Sequence, residues 1–195
     1  LRWPVPELEL QKFIVGQRIE RIDRRAKYLL VYMYNDQILM LHLGMSGILR
    51  VVDSVSALSA HDHLIFDVGA GQELRFHDVR RFGSVDVVST SELASHPRLE
   101  HLGVEPLSEE FSGKYLFERS RKLKLPVKNF LMNSKYVVGI GNIYACESLF
   151  RAKINPQRMT GRLSQKNYET IVCSVKDTLR EAILQGGTTL KDFQS

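Results

Sequence analysis

The apolar residues of this chain change their spacing once, near His101. Before that point they alternate with polar neighbours in short runs, the two-residue period of a half-buried strand. Beyond it they recur every three or four positions, the period of a helix with one buried face. Strands first and helices afterwards is the α+β pattern. The succession of short strands reads as an antiparallel sandwich or barrel, and 195 residues suffice for one large or two modest domains.

Taken in order, residues 1–16 form an extended lead-in and a short helix with Leu8, Leu10 and Phe13 to bury. Residues 21–27 are strongly basic. Strands are expected at 28–34 and 37–42, joined as a hairpin by Asn35-Asp36. Further strands follow at 48–53, around Leu64, Phe66 and Val68, around Leu74 and Phe76, and at 84–88. Loops interrupt at 43–47 and 54–60, and Gly69-Ala70-Gly71-Gln72 makes a turn. Residues 103–113 hold a proline, three acids and no long apolar run. They are expected as a linker between a strand domain at 1–102 and a helical domain at 114–195. In the latter, Pro126 suits a first helical turn with Phe130-Leu131-Met132 on the buried side. The clearest helix runs from Ser164, its N-cap, to Gln185, with Gly186-Gly187 as a stop. Tyr168, Ile171, Val172, Val175, Leu179, Ala182 and Ile183 make its apolar stripe.

Charge divides along the same line. Residues 1–102 hold 12 Lys and Arg against 13 Asp and Glu, a net of −1, and residues 103–195 hold 15 against 9, a net of +6. From Lys114 to Lys135 there are seven basic residues and one acid, Glu118. A segregated basic half in a chain of pI about 9.2 points to a polyanion partner, although charge runs also serve as plain solvated faces. No run of about 18 apolar residues exists to cross a membrane, and the opening residues lack a signal-peptide pattern. Cys146 and Cys173 make no CxxC pair and read as reduced thiols, as in a cytoplasmic protein.

Five places carry residues suited to chemistry. Val137-Val138-Gly139-Ile140-Gly141 ends in two glycines one residue apart, which allow a tight turn. Asn142 then stands where an N-cap belongs, with Ile143, Cys146 and Phe150 on one face of the following helix. Such a helix start suits a phosphate; the same glycines also serve close packing in an ordinary helix hairpin. Asp78-Val79-Arg80-Arg81-Phe82-Gly83 falls between two strands. There an arginine can pair with a base edge and a phenylalanine can wedge between bases. The other reading is a turn salt-bridged to Asp78 with Phe82 in the core. Met45, between Gly44 and Gly47, is a second wedge or a core filler. Lys27 is a phosphate ligand, an acid–base group if neighbouring cations lower its pKa, or part of a solvated basic edge. His61-Asp62-His63 puts two imidazoles on one strand face, but no Cys or acidic cluster at ligand spacing completes a metal site. There is no P-loop, dinucleotide fingerprint or G-x-S-x-G elbow.

Seven motifs, in order, resemble those of the bacterial formamidopyrimidine-DNA glycosylases, which excise oxidised purines. They are Arg24-Arg25-Ala26-Lys27-Tyr28-Leu29-Leu30, His42-Leu43-Gly44-Met45-Ser46-Gly47, His61-Asp62-His63, and Arg80-Arg81-Phe82-Gly83. Then come His101-Leu102-Gly103-Val104-Glu105-Pro106-Leu107, residues 138–147, and Gly186-Gly187-Thr188-Thr189-Leu190-Lys191-Asp192-Phe193. The resemblance implies an antiparallel β-sandwich followed by a helix–two-turns–helix domain, working as a monomer with double-stranded DNA in the cleft between them. It implies base-excision repair by a glycosylase with AP-lyase activity that flips out 8-oxoguanine and formamidopyrimidines. The lysine matching Lys27 contacts phosphate near the lesion and assists elimination. Residues matching Met45, Arg80 and Phe82 fill the vacated gap, pair with the orphaned cytosine and wedge beside it. Those matching His61, Lys128 and Asn142 hold backbone phosphates. One further phosphate contact of the family falls at Leu123, which has no charge, so Lys122 or Lys124 is the expected substitute.

The family's nucleophile is an N-terminal proline followed by glutamate, and its zinc is held by a C-terminal four-cysteine finger. Neither pattern occurs in these residues. Pro6-Glu7 imitates the first, but the nitrogen of an internal proline is a delocalised amide. The sequence is therefore expected to lack both ends of such an enzyme, to be inactive as it stands and to escape borohydride trapping, with zinc belonging to the absent finger. Two further readings share the pattern: a non-catalytic DNA clamp of the same architecture, and a glycosylase of the related oxidised-pyrimidine branch. Met45, Arg80 and Phe82 together speak against the latter. An RNA-binding protein that borrows the helix hairpin is a more distant one.

Overall fold

A computed structural model describes residues 1–187 of the chain, which divides into two compact units, Leu1–Leu99 and a second beginning at Glu100. The last matching motif runs beyond Gly187, and its part from Thr188 to Phe193 lies outside the described residues.

The first unit opens with α1 (Glu7–Phe13) and continues through seven strands. These are β1 (Ile19–Arg25), β2 (Tyr28–Met33), β3 (Gln37–His42), β4 (Gly47–Asp53), β5 (Asp62–Gly69), β6 (Gln72–Asp78) and β7 (Ser84–Ser89). They pair into two antiparallel sheets, ordered β1-β2-β3-β7 and β4-β6-β5. Alternation becomes burial. Leu29, Val31, Met33, Leu39, Leu41, Val85 and Val87 of one sheet share a core with Leu49, Leu64, Phe66 and Phe76 of the other. Full burial of one such side chain is worth about 1.5–3 kcal/mol. A one-residue slip would expose every one of them on its strand, so this face fixes the registers.

Two local expectations change. The basic run at 21–27, not read from sequence as a strand, lies mostly within β1, an edge strand with six of its seven residues exposed. Its charges hide the strand period, and they also discourage pairing with another edge. In α1, Leu10 is buried with Ile14 one turn on, while Leu8 points to solvent. A helix this short has only one inward stripe.

The second unit contains α2 (Gly113–Ser120), α3 (Val127–Leu131), α4 (Asn142–Arg151) and α5 (Gln165–Leu184). α5 packs on α2 and α4, and α3 packs on α4. Leu116, Phe130, Leu131, Leu149, Tyr168, Ile171 and Val175 lie at the centre of the core. α5 starts at a capping box. Ser164 Oγ accepts the Asn167 N–H at 3.2 Å, and Asn167 Oδ1 accepts the Ser164 N–H at 3.1 Å. Its apolar stripe is shorter than the sequence suggests, since Ile183 is exposed. The segment 103–113 joins this unit through a bridge between Val104 and Val137 and through Phe111, which is fully buried in the helical core. Among the described residues no helix is long and apolar enough to cross a membrane.

Candidate functional site

Strand register gathers the first unit's candidate residues at one end of the sandwich. Tyr28 pairs with His42 and His42 with Ser84, while Gly47 pairs with Asp78 and Asp62 with His77. Lys27 precedes the first of these residues. Met45 lies between His42 and Gly47, Arg80 and Phe82 between Asp78 and Ser84, and His61 just before Asp62. All five therefore leave the sheets at the same edge.

Lys27 sits in the two-residue turn between β1 and β2. Its neighbour Ala26 is buried with a φ of 55°, and the Ala26 carbonyl accepts a 2.7 Å hydrogen bond from Arg24 Nη1. The turn is thereby held while Lys27 itself is exposed.

The two neighbouring loops expose apolar side chains. Met45 is 74% exposed and Phe82 42% exposed, so neither fills the core. The Arg80 guanidinium lies 4.7 Å from the centre of the Phe82 ring, a cation–π distance. The loops touch backbone to backbone: a Cβ on Gly44, whose φ is +66°, would lie 2.6 Å from the Phe82 carbonyl carbon. Asp78 does not serve as an arginine's ion-pair partner, as one reading of the turn had it. Fully buried, it accepts the Ser46 hydroxyl at 2.6 Å on Oδ1 and the Gly83 N–H at 2.7 Å on Oδ2. Ser46 Oγ in turn accepts the Arg80 N–H at 3.2 Å. Burial alone would raise the Asp78 pKa. Hydrogen bonds from Ser46, Gly83, Arg80 and Arg81 outweigh it and hold the carboxyl below its ordinary value. At the root of the Met45 loop, His42 Nδ1 accepts the Gly44 N–H at 3.0 Å. Burial, then the charges of Lys27, Arg2 and Arg98, push the His42 pKa down.

His61 is placed by ion pairs behind it. Arg75 has a side chain only 1% exposed. It reaches Glu73 Oε2 at 2.8 Å, the Ala57 carbonyl at 2.9 Å and the Ser56 carbonyl at 2.8 Å. That pins the loop leading into His61. Asp62 accepts Arg50 Nη2 at 2.8 Å, the Ser59 N–H at 3.0 Å and His77 Nδ1 at 2.9 Å. Burial opposes these contacts, yet they leave the Asp62 pKa lowered. The His61 ring meets the His77 ring edge-on at 5.8 Å. Its Nδ1 is buried with no partner among the described residues. No group of three or more His, Cys, Asp or Glu among those residues is arranged to hold a metal. A zinc ion does not fit them.

In the second unit the start of α4 differs from expectation. Gly141, not Asn142, is the N-cap, and no side chain caps the helix. Gly139 takes a φ of +77° and Gly141 is extended, so the turn completes one residue earlier and Asn142 becomes the first helical residue, exposed at the helix start. α4 buries Ala145, Ser148 and Leu149. The face with Ile143, Cys146 and Phe150 is open, and Phe150 is 85% exposed. Lys128, on α3, is half-buried, whereas Lys122 and Lys124 are exposed. Between these two, Leu123 packs against the core and its carbonyl accepts the Thr160 hydroxyl at 3.1 Å. The uncharged residue of the stretch points inward, which leaves the flanking lysines outward.

Sequence reasoning overlooked Ser46, His42, His77 and the buried Arg75. The only signal was the position of Ser46 beside Met45 and of Asp78 just before the arginines; what those oxygens bind depends on the pairing of distant strands.

Two family models match the chain: the formamidopyrimidine-DNA glycosylase N-terminal domain over residues 1–85 and the formamidopyrimidine-DNA glycosylase H2TH domain over residues 102–194. A formamidopyrimidine-DNA glycosylase of Stenotrophomonas maltophilia strain K279a is 51% identical over 195 residues, covering 100% of this chain and 71% of the relative. One from Marinobacter nauticus is 46% identical over 193 residues, 99% of this chain and 70% of the relative. Among solved structures, the complex of Lactococcus lactis Fpg with DNA containing an abasic site superposes with a TM-score of 0.89 at 33% identity. It matches 94% of this chain and 67% of that one. MutM in complex with DNA containing carbocyclic 8-oxo-G gives a TM-score of 0.90 at 32% identity, over 96% of this chain and 70% of that one.

Proposed function

The chain belongs to the formamidopyrimidine-DNA glycosylase family, and we propose that the sandwich end bearing Lys27, Met45, His61, Arg80 and Phe82 is the surface with which it handles a damaged base. Members of this family are DNA glycosylases with AP-lyase activity, and the function is base-excision repair of oxidised purines in duplex DNA. On this reading Met45 enters the stack where the lesion leaves. Arg80 reads the base left opposite, and Phe82 wedges beside it. Flipping a nucleotide costs a few kcal/mol of stacking, and inserted side chains offset that cost and block return. Lys27 and His61 hold phosphates near the lesion, and Lys27 also carries a proton during elimination. In the helical unit Lys128, Asn142 and either Lys122 or Lys124 grip the backbone, and Asn142 sits at the uncapped, positive end of α4. The family's zinc is expected outside the described residues. Two thiols without a disulfide suit work in the cytoplasm.

The observation that carries this reading is the common edge set by the Tyr28–His42–Ser84 and Gly47–Asp78 pairings. It is tested by the binding of this chain to duplexes with a tetrahydrofuran site opposite cytosine, to the same duplexes with other opposing bases, and to intact DNA. The damaged duplex with cytosine should bind tightest, and Arg80→Ala should cost about tenfold there, the scale of one bidentate base pairing removed. Equal affinity for intact and damaged duplexes refutes it.

A further inference from the structure

We propose that Asp78, acting through Ser46, couples the two exposed loops so that Met45, Arg80 and Phe82 engage DNA as one unit. Asp78 and Ser46 are thus positioning residues for recognition of the base opposite the lesion. The inference rests on the roles proposed above for Met45, Arg80 and Phe82.

Each of those three side chains is at most one residue from a group tied into this carboxylate. Ser46, next to Met45, donates its hydroxyl to Asp78 Oδ1 at 2.6 Å. The backbone N–H of Arg80 donates to the same Ser46 Oγ at 3.2 Å. Gly83, next to Phe82, donates its N–H to Asp78 Oδ2 at 2.7 Å. The carboxylate is inaccessible to solvent. Water does not compete there, and hydrogen bonds to an ionised, buried acceptor are about twice as strong as neutral ones. The Asp78 backbone is held as well: its N–H donates to the His61 carbonyl at 2.9 Å, and its carbonyl accepts from His63 Nε2 at 2.9 Å. Gly44 allows the Met45 loop to lie directly on the Phe82–Gly83 backbone, where a Cβ would clash. Gly83 lies against Phe76 just as closely, with a Cβ position 2.4 Å from Cζ. The loops therefore have a shared floor, a shared acceptor and a shared hydroxyl. An element ordered before DNA arrives loses little freedom on binding.

The coupling predicts a defect in discrimination more than in general affinity. Ser46→Ala removes both hydroxyl interactions without emptying the buried carboxylate site, so it is the informative variant where Asp78→Asn fails to fold. Binding to tetrahydrofuran duplexes opposite cytosine and opposite adenine is measured together with the salt dependence and the melting temperature. Ser46→Ala should lower the cytosine-to-adenine affinity ratio by about tenfold, the scale of removing one or two hydrogen bonds. The salt slope should stay unchanged, and Ser46→Thr, which keeps the hydroxyl, should restore the ratio. In an Arg80→Ala background, Ser46→Ala should have no further effect on the ratio. An unaltered ratio in Ser46→Ala, or equal weakening for both duplexes with a lowered melting temperature, overturns the coupling. If Arg80→Ala itself leaves the ratio intact, the reading of Arg80 fails and the coupling falls with it. If Arg80→Ala abolishes the ratio while Ser46→Ala does not, the coupling alone falls.

Discussion

Met45 and Phe82 project from loops whose backbones are fixed, so their side chains are available to a partner without being needed by the core. Met45→Ala and Phe82→Ala should each change stability by no more than about 0.5 kcal/mol, as surface substitutions do, while binding to a lesion duplex weakens severalfold. Thermal melting paired with fluorescence anisotropy checks both halves, and a large drop in melting temperature would contradict the exposure of these side chains. His42 makes a different demand. Its Nδ1 must stay unprotonated to accept the Gly44 N–H, and burial with Lys27, Arg2 and Arg98 lowers its pKa from the ordinary 6.5. The unfolded chain therefore takes up a proton at a pH where the folded chain resists it. The contribution to stability is complete above about pH 6.5 and is lost as pH falls through the lower folded value. Urea unfolding of His42→Gln should show a weaker decline than wild type between about pH 7 and pH 5. At this scale the sequence revealed residue types but not partners. Asp78 beside two arginines suggests an ion pair, whereas its oxygens bind a serine hydroxyl and a backbone N–H. Arg75 occupies a position in the alternation that looks solvent-facing, and it is buried because a loop 18 and 19 residues away in sequence supplies its acceptors.

Elements were legible where one face is apolar and one polar. The hairpins of β2–β3 and β5–β6 announce themselves by alternation broken at turn residues, and α5 by its stripe and its capping serine. Replacing that serine, Ser164→Ala, should cost about 1 kcal/mol, seen as a lower urea midpoint with an unchanged slope. β1 was hidden because six of its seven residues face water and most are charged. The face of α4 that carries Ile143, Cys146 and Phe150 is the outward one, and which face is buried was not legible because the inward positions are Ala145, Ser148 and Leu149, two of them small. The loops between β3 and β4 and between β6 and β7 behave as a single element. Gly44→Ala should show this directly. It forces a φ of +66° on a residue with a Cβ aimed at the Phe82 backbone, a change expected to cost about 1–3 kcal/mol. Loss of lesion-duplex binding alongside lowered stability is the expected pair of results in denaturation and binding assays.

Across the whole chain, the order of motifs was the most readable property. It predicted sandwich, helical unit and family together, whereas no single motif would have done so. Charge segregation was equally plain, with the net +6 concentrated after residue 102. Neutralising backbone phosphates releases counterions, so affinity should fall steeply with salt. Leu123 carries no charge with which to hold a phosphate, and Lys122→Ala and Lys124→Ala, made singly, show which flanking lysine does so instead. The one that grips phosphate should reduce the slope of log affinity against log salt by about 1, equally for damaged and intact duplexes. A slope that neither substitution alters removes both lysines from the interface.

The outward face of α4 also offers a spectroscopic handle. Cys146 is exposed on it, one helical turn after Asn142. Cys173, the other thiol, lies on α5. In a Cys173→Ser background, a maleimide dye would label Cys146 alone, on a short rigid helix whose position relative to Asn142 is fixed. Its emission would report occupancy of the helix start in real time, without any dependence on bond cleavage.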